Sequence, residues 1–393
     1  MSANPNNAAD HTGAASDTAA NAWAGARDTP AGTPDTHSRT GLAQACGSAH
    51  QRARQAMLVE PGRLELRDFD PPHPGPGALL LEVKCALSCG TDLKAYRRGH
   101  PMWPMPTPLG HEFSGVVREV GDGVTEFHVG DALMAAPTAP CGHCFHCARG
   151  QENLCPQAME KMVMGGYADY LLIPPHVVAQ NAFRKPAELP FEEAALLEPL
   201  ACVVHAQAMA RPEQFETVLI VGAGAFGLLH MFALKAAGVR ETVIAGRGEA
   251  RLRWAGELGA DRVIDVNQRD AEETVASLNG GYGPDLVIEC TGQVAGWQAA
   301  FARVRRGGRV VFFGGCPVNT ALSADTRRMH YDNLTLLAPF HFRPRDVRRA
   351  FELLCGGELG AGPIINAHRR LSELAEVFAL MECGAVLKCA VTP

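Results

Sequence analysis

The chain has 393 residues, enough for two domains of ordinary size, and its 47% hydrophobic and 20% charged residues are those of a globular protein rather than a disordered one. Lys and Arg total 36 against 42 Asp and Glu, a formal charge of −6, which argues against the basic face that general nucleic-acid binding requires. No apolar run approaches the roughly 18–20 residues of a membrane span, and the first residues lack the charged start and apolar stretch of a secretory signal, so a cytoplasmic protein is expected.

Residues 1–52 stand apart. From Ser2 to Gly41 there is no Val, Ile, Leu or Phe, and Trp23 is the only large apolar side chain. Such a segment cannot bury enough surface to offset the entropy of ordering it, so a disordered extension is expected. The four Asp residues and few Arg in it count against a transit peptide.

From about Ala53 to Ala179, short apolar runs such as Leu79–Leu81 and Gly115–Val117 lie between Pro and Gly clusters, which predicts irregular β structure with long loops. Two sets of metal-ligand residues begin here. Cys89, in Cys89-Gly90-Thr91-Asp92, is followed by Gly110-His111-Glu112, and later by Glu198 before Pro199-Leu200. A thiolate, an imidazole and one carboxylate around Zn²⁺ form a net neutral set that leaves a position open, the mark of a catalytic site. Taken singly, each has a plain reading as a buried Cys, a core His or a surface Glu. The second set is compact: Cys141, Cys144, Cys147 and Cys155 are four of the chain's 13 cysteines. Four thiolates so close can enclose zinc in a closed structural tetrahedron. A ferredoxin-like iron–sulfur loop would place three residues before its fourth Cys, where this chain has seven. His143 and His146 are spare residues of that loop, expected to face solvent.

At about Thr217 the pattern changes. Apolar strand candidates at Val218–Val221, Val243–Ala245, Arg262–Ile264, Leu286–Ile288 and Val310–Phe313 alternate with helical stretches, which predicts a doubly wound parallel sheet covered on both faces. After Leu334–Leu337 come two more helical patterns, near Asp346–Leu354 and Ser372–Glu382. The first strand runs into Gly222-Ala223-Gly224-Ala225-Phe226-Gly227 and then a helix, the full context of a dinucleotide-binding turn. The first Gly permits the tight turn, the second lets backbone approach pyrophosphate, and the third allows close helix–strand packing. Cofactor contacts are expected at Gly222, Gly224, Phe226 and Gly227. The second strand ends in Gly246-Arg247-Gly248 with no carboxylate at the place where an NAD site holds one. Gly246 leaves room for a 2′-phosphate that Arg247, with Arg251 as a second candidate, can pair, which favours NADP over NAD. Glu249 lies close by and speaks for the other choice.

With these residues in view, the chain resembles the zinc-dependent medium-chain alcohol dehydrogenases, in particular the sorbitol and threonine dehydrogenase branch, over about residues 54–393. The likeness rests on Cys89-Gly90-Thr91-Asp92, on Gly110-His111-Glu112 with Gly115, Gly121 and Val124 after it, and on the four-cysteine loop. Gly165-Gly166-Tyr167-Ala168-Asp169-Tyr170, Glu198-Pro199-Leu200 and the Gly222–Gly227 turn complete it. The resemblance implies an α/β fold with a GroES-like β-rich catalytic domain from residues 53–205 and 340–393, and a Rossmann domain from 206–339. It also implies catalytic zinc at Cys89, His111 and Glu112 with Glu198 at or near the metal, a second, structural zinc, and a dimer or tetramer. The implied reaction is hydride transfer between a secondary alcohol or polyol and NAD(P), with zinc as Lewis acid.

Thr91 matches the family's proton-relay hydroxyl, but Lys94 stands where many relatives carry a relay His. An ordinary Lys is protonated at neutral pH and accepts a proton poorly. Tyr96, Arg97, Arg98, His100, Met102 and Trp103 are expected to form one wall of the substrate pocket, with Arg97 or Arg98 available to an acidic group on the substrate. His205, His330 and His341 read as structural. The competing readings are a specialised ketone reductase or another zinc-dependent reaction of the family, and a non-enzymatic sensor that holds zinc and NADPH.

Overall fold

The computed structural model describes residues 52–393, so the extension expected over residues 1–52 lies, Arg52 apart, outside the described residues. The β-rich part contains β1 (Ala53–Glu60), β2 (Arg63–Phe69), β3 (Leu79–Leu87), α1 (Gly90–Arg98), β4 (Thr107–Pro108), β5 (Phe113–Val120) and β6 (Ala132–Ala135). It continues through α2 (Pro156–Glu160), β7 (Tyr170–Ile173), α3 (Pro175–Asn181), β8 (Ala182–Arg184), α4 (Phe191–Ala194) and α5 (Leu197–Ala210).

Next come β9 (Thr217–Val221), α6 (Ala225–Ala236), β10 (Glu241–Gly246), α7 (Glu249–Glu257), β11 (Arg262–Asp265) and α8 (Ala271–Gly281). The same alternation runs on through β12 (Leu286–Glu289), α9 (Val294–Arg303), β13 (Arg309–Phe312), α10 (Thr326–Tyr331) and β14 (Thr335–Leu337). The chain ends with α11 (Pro344–Cys355), β15 (Ile365–Arg370), α12 (Leu374–Glu382) and β16 (Lys388–Thr392).

The expected doubly wound sheet is present, all parallel, in the order β11-β10-β9-β12-β13-β14. Every residue of β9 (Thr-Val-Leu-Ile-Val) is buried, as suits a β-branched strand covered on both faces. The order reverses between β9 and β12, and a doubly wound sheet opens its ligand crevice at such a point. The β-rich part forms a three-stranded sheet, β2-β1-β4, and a larger one in which β16 pairs with β3. The last strand of the chain therefore lies beside the segment that leads into Cys89. No helix among the described residues is long and apolar enough to cross a membrane.

Helix α5 is buried on almost every side and shares one apolar core with Leu87 and Met134 of the β-rich part and with Val218 and Ile220 of β9. Its His205, expected to be structural, is a clamp: Nδ1 lies 2.8 Å from Asp346 Oδ2 on α11, which Arg343 also grips. Burial pushes the Asp346 carboxyl up, but the hydrogen bonds from His205 and Arg343 outweigh it and hold its pKa below the usual value. A carboxylate depressed in the folded state adds stability that is complete above its unfolded value, about 4, and is lost as pH falls through the folded value. Asp346→Asn is therefore expected to lower stability at pH 7 and to flatten the loss of stability below about pH 4. Denaturant titrations across that range check this; an acid limb identical to wild type counts against the clamp.

Candidate active site

Cys89 follows β3 and caps helix α1 with extended backbone, its sulfur accepting from Thr91 N at 3.5 Å. His111 and Glu112 lie just before β5, the strand that pairs antiparallel with β3. Gly110 makes that placement possible: its φ of 93° is one that L side chains rarely adopt, and a Cβ there would lie 2.7 Å from Tyr167 N. The ligand-capable atoms of Cys89, His111 and Glu112 lie within 4.8 Å of one another, and all three residues are buried. Thr91 is exposed beside them.

The surroundings suit a cation. Asp92 Oδ1 lies 3.2 Å from His111 Nδ1, outside hydrogen-bond geometry, and Asp92 is itself held by Tyr167 Oη at 3.0 Å. Burial disfavours the His111 imidazolium, but Asp92 and the Cys89 sulfur outweigh it and raise the pKa well above the ordinary value. Burial, with the Glu112 carboxylate, pushes the Cys89 thiol up. Glu112 Oε1 is buried without a partner, while Oε2 takes the ammonium of Lys388, itself buried on β16. A buried thiol, a buried imidazole and a carboxylate oxygen with no partner form a donor set that zinc satisfies.

Glu198, at the start of α5, does not join that trio. It groups with Cys202, one turn on, and with His341. Burial lifts the Glu198 carboxyl to about 7, with Glu112 adding to the rise and His111 opposing it. Cys202 donates its S–H to Glu198 Oε1 at 3.7 Å. His341, which the sequence reading left as a structural residue, is thus brought to the site. His330 is exposed against Tyr331.

In the four-cysteine loop, Cys144 Sγ and Cys147 Sγ are 3.5 Å apart, and Cys141 Sγ and Cys147 Sγ 3.9 Å. A tetrahedron with Zn–S bonds of about 2.3 Å has edges of about 3.8 Å, so the loop is already shaped for the ion. Backbone N–H groups, that of His143 first, lower the Cys141 thiol to about 6, which favours the thiolate a metal needs. His143 faces solvent as expected. His146 departs from that expectation: it is half-buried, and its Nδ1 is enclosed without a partner among the described residues.

The dinucleotide crevice is a cleft of about 470 Å³ at the switch point, lined by Gly222, Gly224, Gly246, Arg247, Arg251 and Gln293 among others. A Cβ on Gly227 would lie 2.0 Å from Gly222 O, so only glycine lets α6 close on β9. Phe226 is not among the residues that line this cleft; its ring lies 5.0 Å from that of Phe313 and 6.0 Å from Lys388 Nζ. Arg247 Nη2 donates to Gln293 Oε1 at 3.2 Å. The Arg251 guanidinium lies between Gly224 and Gly384.

Of the expected pocket wall, Trp103 is buried and sits 6.4 Å from the His111 ring, with His100 stacked on it. Tyr96 donates to Gly62 O, and Arg97 pairs with Glu382, so that arginine is already engaged. Three residues beyond the expected ones shape the site: Asp92, Tyr167 and Lys388. Asp92 could have been found as the residue three after Cys89, on the first turn of a helix. Nothing local marks Lys388.

Residues 75–183 match the family model for the alcohol dehydrogenase GroES-like domain, and residues 225–355 that for zinc-binding dehydrogenase. Sorbitol dehydrogenase of Halalkalibacterium halodurans is 29% identical over 84% of this chain and 96% of its own length. L-threonine 3-dehydrogenase of Pyrococcus horikoshii is 31% identical over 84% of this chain and 95% of its own. A zinc-binding dehydrogenase of Sinorhizobium meliloti 1021, solved with NADP bound, superposes with a TM-score of 0.80 at 30% identity, covering 88% of this chain and 100% of that one.

Proposed function

The chain belongs to the zinc-dependent medium-chain dehydrogenases, and from that premise we propose that it oxidises a polyol or another secondary alcohol, or reduces the matching ketone, with NADP as the preferred cofactor. The general activity is that of a zinc-binding alcohol dehydrogenase using NAD(P). The observation that carries the reading is the buried Cys89–His111–Glu112 trio, close to Glu198 and within the same unit as a complete dinucleotide turn.

When bound, zinc would polarise the substrate oxygen, and NAD(P) would exchange the hydride. Cys89, His111 and Glu112 would hold the ion, and Asp92 would keep the His111 ring in its orientation. Lys388 neutralises Glu112, so the metal set keeps a low net charge in a buried place. Thr91 accepts the proton released from the substrate hydroxyl and passes it outward. Glu198, with a carboxyl that titrates near neutrality, can take part in that transfer.

Two zinc ions per chain are proposed, the second in the cage of Cys141, Cys144, Cys147 and Cys155. Residues 53–205 with 340–393 are assigned to the GroES-like catalytic domain and 206–339 to the Rossmann domain. Val318 and Tyr331, exposed in the segment before edge strand β14, support self-association as a dimer or tetramer. The free state of the described cysteines suits the cytoplasm.

The NADP preference rests on Gly246, Arg247 and Arg251. Arg247→Ala is expected to weaken NADPH by about tenfold or more and NADH by much less, as loss of a charge-assisted contact to the 2′-phosphate implies. Fluorescence titration of both cofactors decides it, and equal losses contradict the pairing. The reaction itself is tested by initial rates on polyols and secondary alcohols with NADP⁺ and NAD⁺ in parallel on zinc-replete protein. Silence with every alcohol despite bound zinc and cofactor would overturn it.

A further inference from the structure

Arg247 and Gln293 meet across the dinucleotide crevice. Arg247 follows β10, Gln293 lies in the loop between β12 and α9, and β9 with its glycine turn runs between those two strands. Both residues are exposed, yet Arg247 Nη2 donates to Gln293 Oε1 at 3.2 Å. That bond uses one of the guanidinium's five N–H donors and leaves the rest to a ligand. The acceptor is itself held. Gln293 N donates to Thr291 Oγ1 at 3.2 Å, and Thr291 Oγ1 donates in turn to Glu289 Oε1. The Glu289 carboxylate, fully buried at the end of β12, also accepts from Thr291 N at 2.7 Å and from Gly292 N at 3.3 Å. A Cβ on Gly296 would collide with both Thr291 Oγ1 and Glu289 Oε1, so the first turn of α9 closes on this knot because it has a glycine there. Trp297 Nε1 then donates to Gly314 O at 2.8 Å and ties the same helix to the loop after β13.

The chemistry of that acceptor is what distinguishes Arg247. Arg303, which also lines the crevice, is paired with the Glu272 carboxylate, so its charge is compensated. Gln293 offers Arg247 a neutral amide, which fixes the direction of the guanidinium without cancelling its charge. An exposed arginine gives up rotamer entropy when a ligand immobilises it, and a side chain that is already held gives up less. Resting on the NADP reading above, we propose that Gln293 is a positioning residue for cofactor selection. Its amide, fixed by the Glu289–Thr291 knot, presents the Arg247 guanidinium to the 2′-phosphate and so strengthens the preference for the phosphorylated dinucleotide.

The test is a set of NADPH and NADH fluorescence titrations on the zinc-replete full chain, with Gln293→Met, Gln293→Glu, Arg247→Ala and the double variant of Gln293→Met with Arg247→Ala. Methionine keeps the length of the side chain and removes the amide. Gln293→Met is expected to weaken NADPH about fivefold and NADH less than twofold. On the Arg247→Ala background the same substitution should cost NADPH nothing further, because the residue that Gln293 positions is gone. Gln293→Glu should weaken NADPH at least tenfold, since a carboxylate there cancels the Arg247 charge and repels the phosphate. A residue that only holds the loop would weaken both cofactors alike, and that result would overturn the inference. So would an NADPH loss in Gln293→Met that persists undiminished when Arg247 is already alanine, or a Gln293→Glu variant that binds NADPH as wild type does. An Arg247→Ala loss confined to NADPH, with Gln293→Met unchanged, would overturn the inference and leave the NADP reading standing. Equal losses of the two cofactors in Arg247→Ala would overturn the NADP reading and the inference with it.

Discussion

Cys89→Ser is expected to lower kcat by about a thousandfold or more while leaving the fold intact. Loss of Lewis-acid assistance is worth several kcal/mol in the transition state, and each factor of ten is about 1.4 kcal/mol. Cys89 is one of three buried residues whose ligand atoms could together hold a metal ion, and a serine hydroxyl is a poor substitute for a thiolate on zinc. The fold should survive because Cys89 is also the N-cap of α1, with its sulfur accepting from Thr91 N. Serine is among the best N-cap residues, so the helix keeps its first turn. Zinc content should fall from two ions per chain to one, with the four-cysteine cage still filled. Metal analysis alongside steady-state rates checks both statements. A fully active variant, or one that loses both ions, would sink the assignment of Cys89.

Lys388→Met should destabilise the protein by about 3–5 kcal/mol, a large share of the total for any domain. Lys388 and Glu112 are both buried, and the Lys388 ammonium also donates to Ser88 O at 3.1 Å. Burial disfavours the ammonium, but Glu112, Cys89 and Glu198 keep it charged, with a raised pKa. Removing it leaves a carboxylate enclosed without its partner, and that stranded charge supplies most of the loss. Two consequences distinguish this account from simple loss of packing. Adding Glu112→Gln to Lys388→Met should recover much of the stability, because replacing both partners removes the stranded charge. The deficit should also be larger in zinc-stripped protein, where no cation remains to offset Glu112. Guanidinium titrations of the single and double variants test this. Additive losses would mean that the pair does not act as a unit.

Local features of this chain carried a great deal. The Gly222–Gly227 turn between an apolar strand and a helix is a contiguous device, because pyrophosphate is bound by backbone within a few residues of the strand's end. The four cysteines of residues 141–155 are legible for the same reason: a cage closed by one short loop writes its geometry into its spacing. The parallel sheet was visible because strands buried on both faces must be apolar throughout, as β9 is.

What the chain does not write locally is whatever is assembled from distant strands. Lys388 reaches Glu112 across 276 residues because β16 pairs with β3 beside the Cys89 segment. A lone Lys that opens an apolar strand gives no sign of that. The place of His341 beside Glu198 depends on a turn with left-handed backbone, which no sequence spacing encodes. The grouping of Glu198 with Cys202 and His341, rather than with the first three ligands, likewise follows from where α5 packs between the sheets. The sequence by itself determined the chemistry, in its metal-binding residue types and its nucleotide turn, since those need only neighbours in the chain. The tertiary structure alone decided which charges are neutralised in the buried site and which side chains gather beside Glu198, because burial and long-range pairing exist only once the sheets have closed on α5.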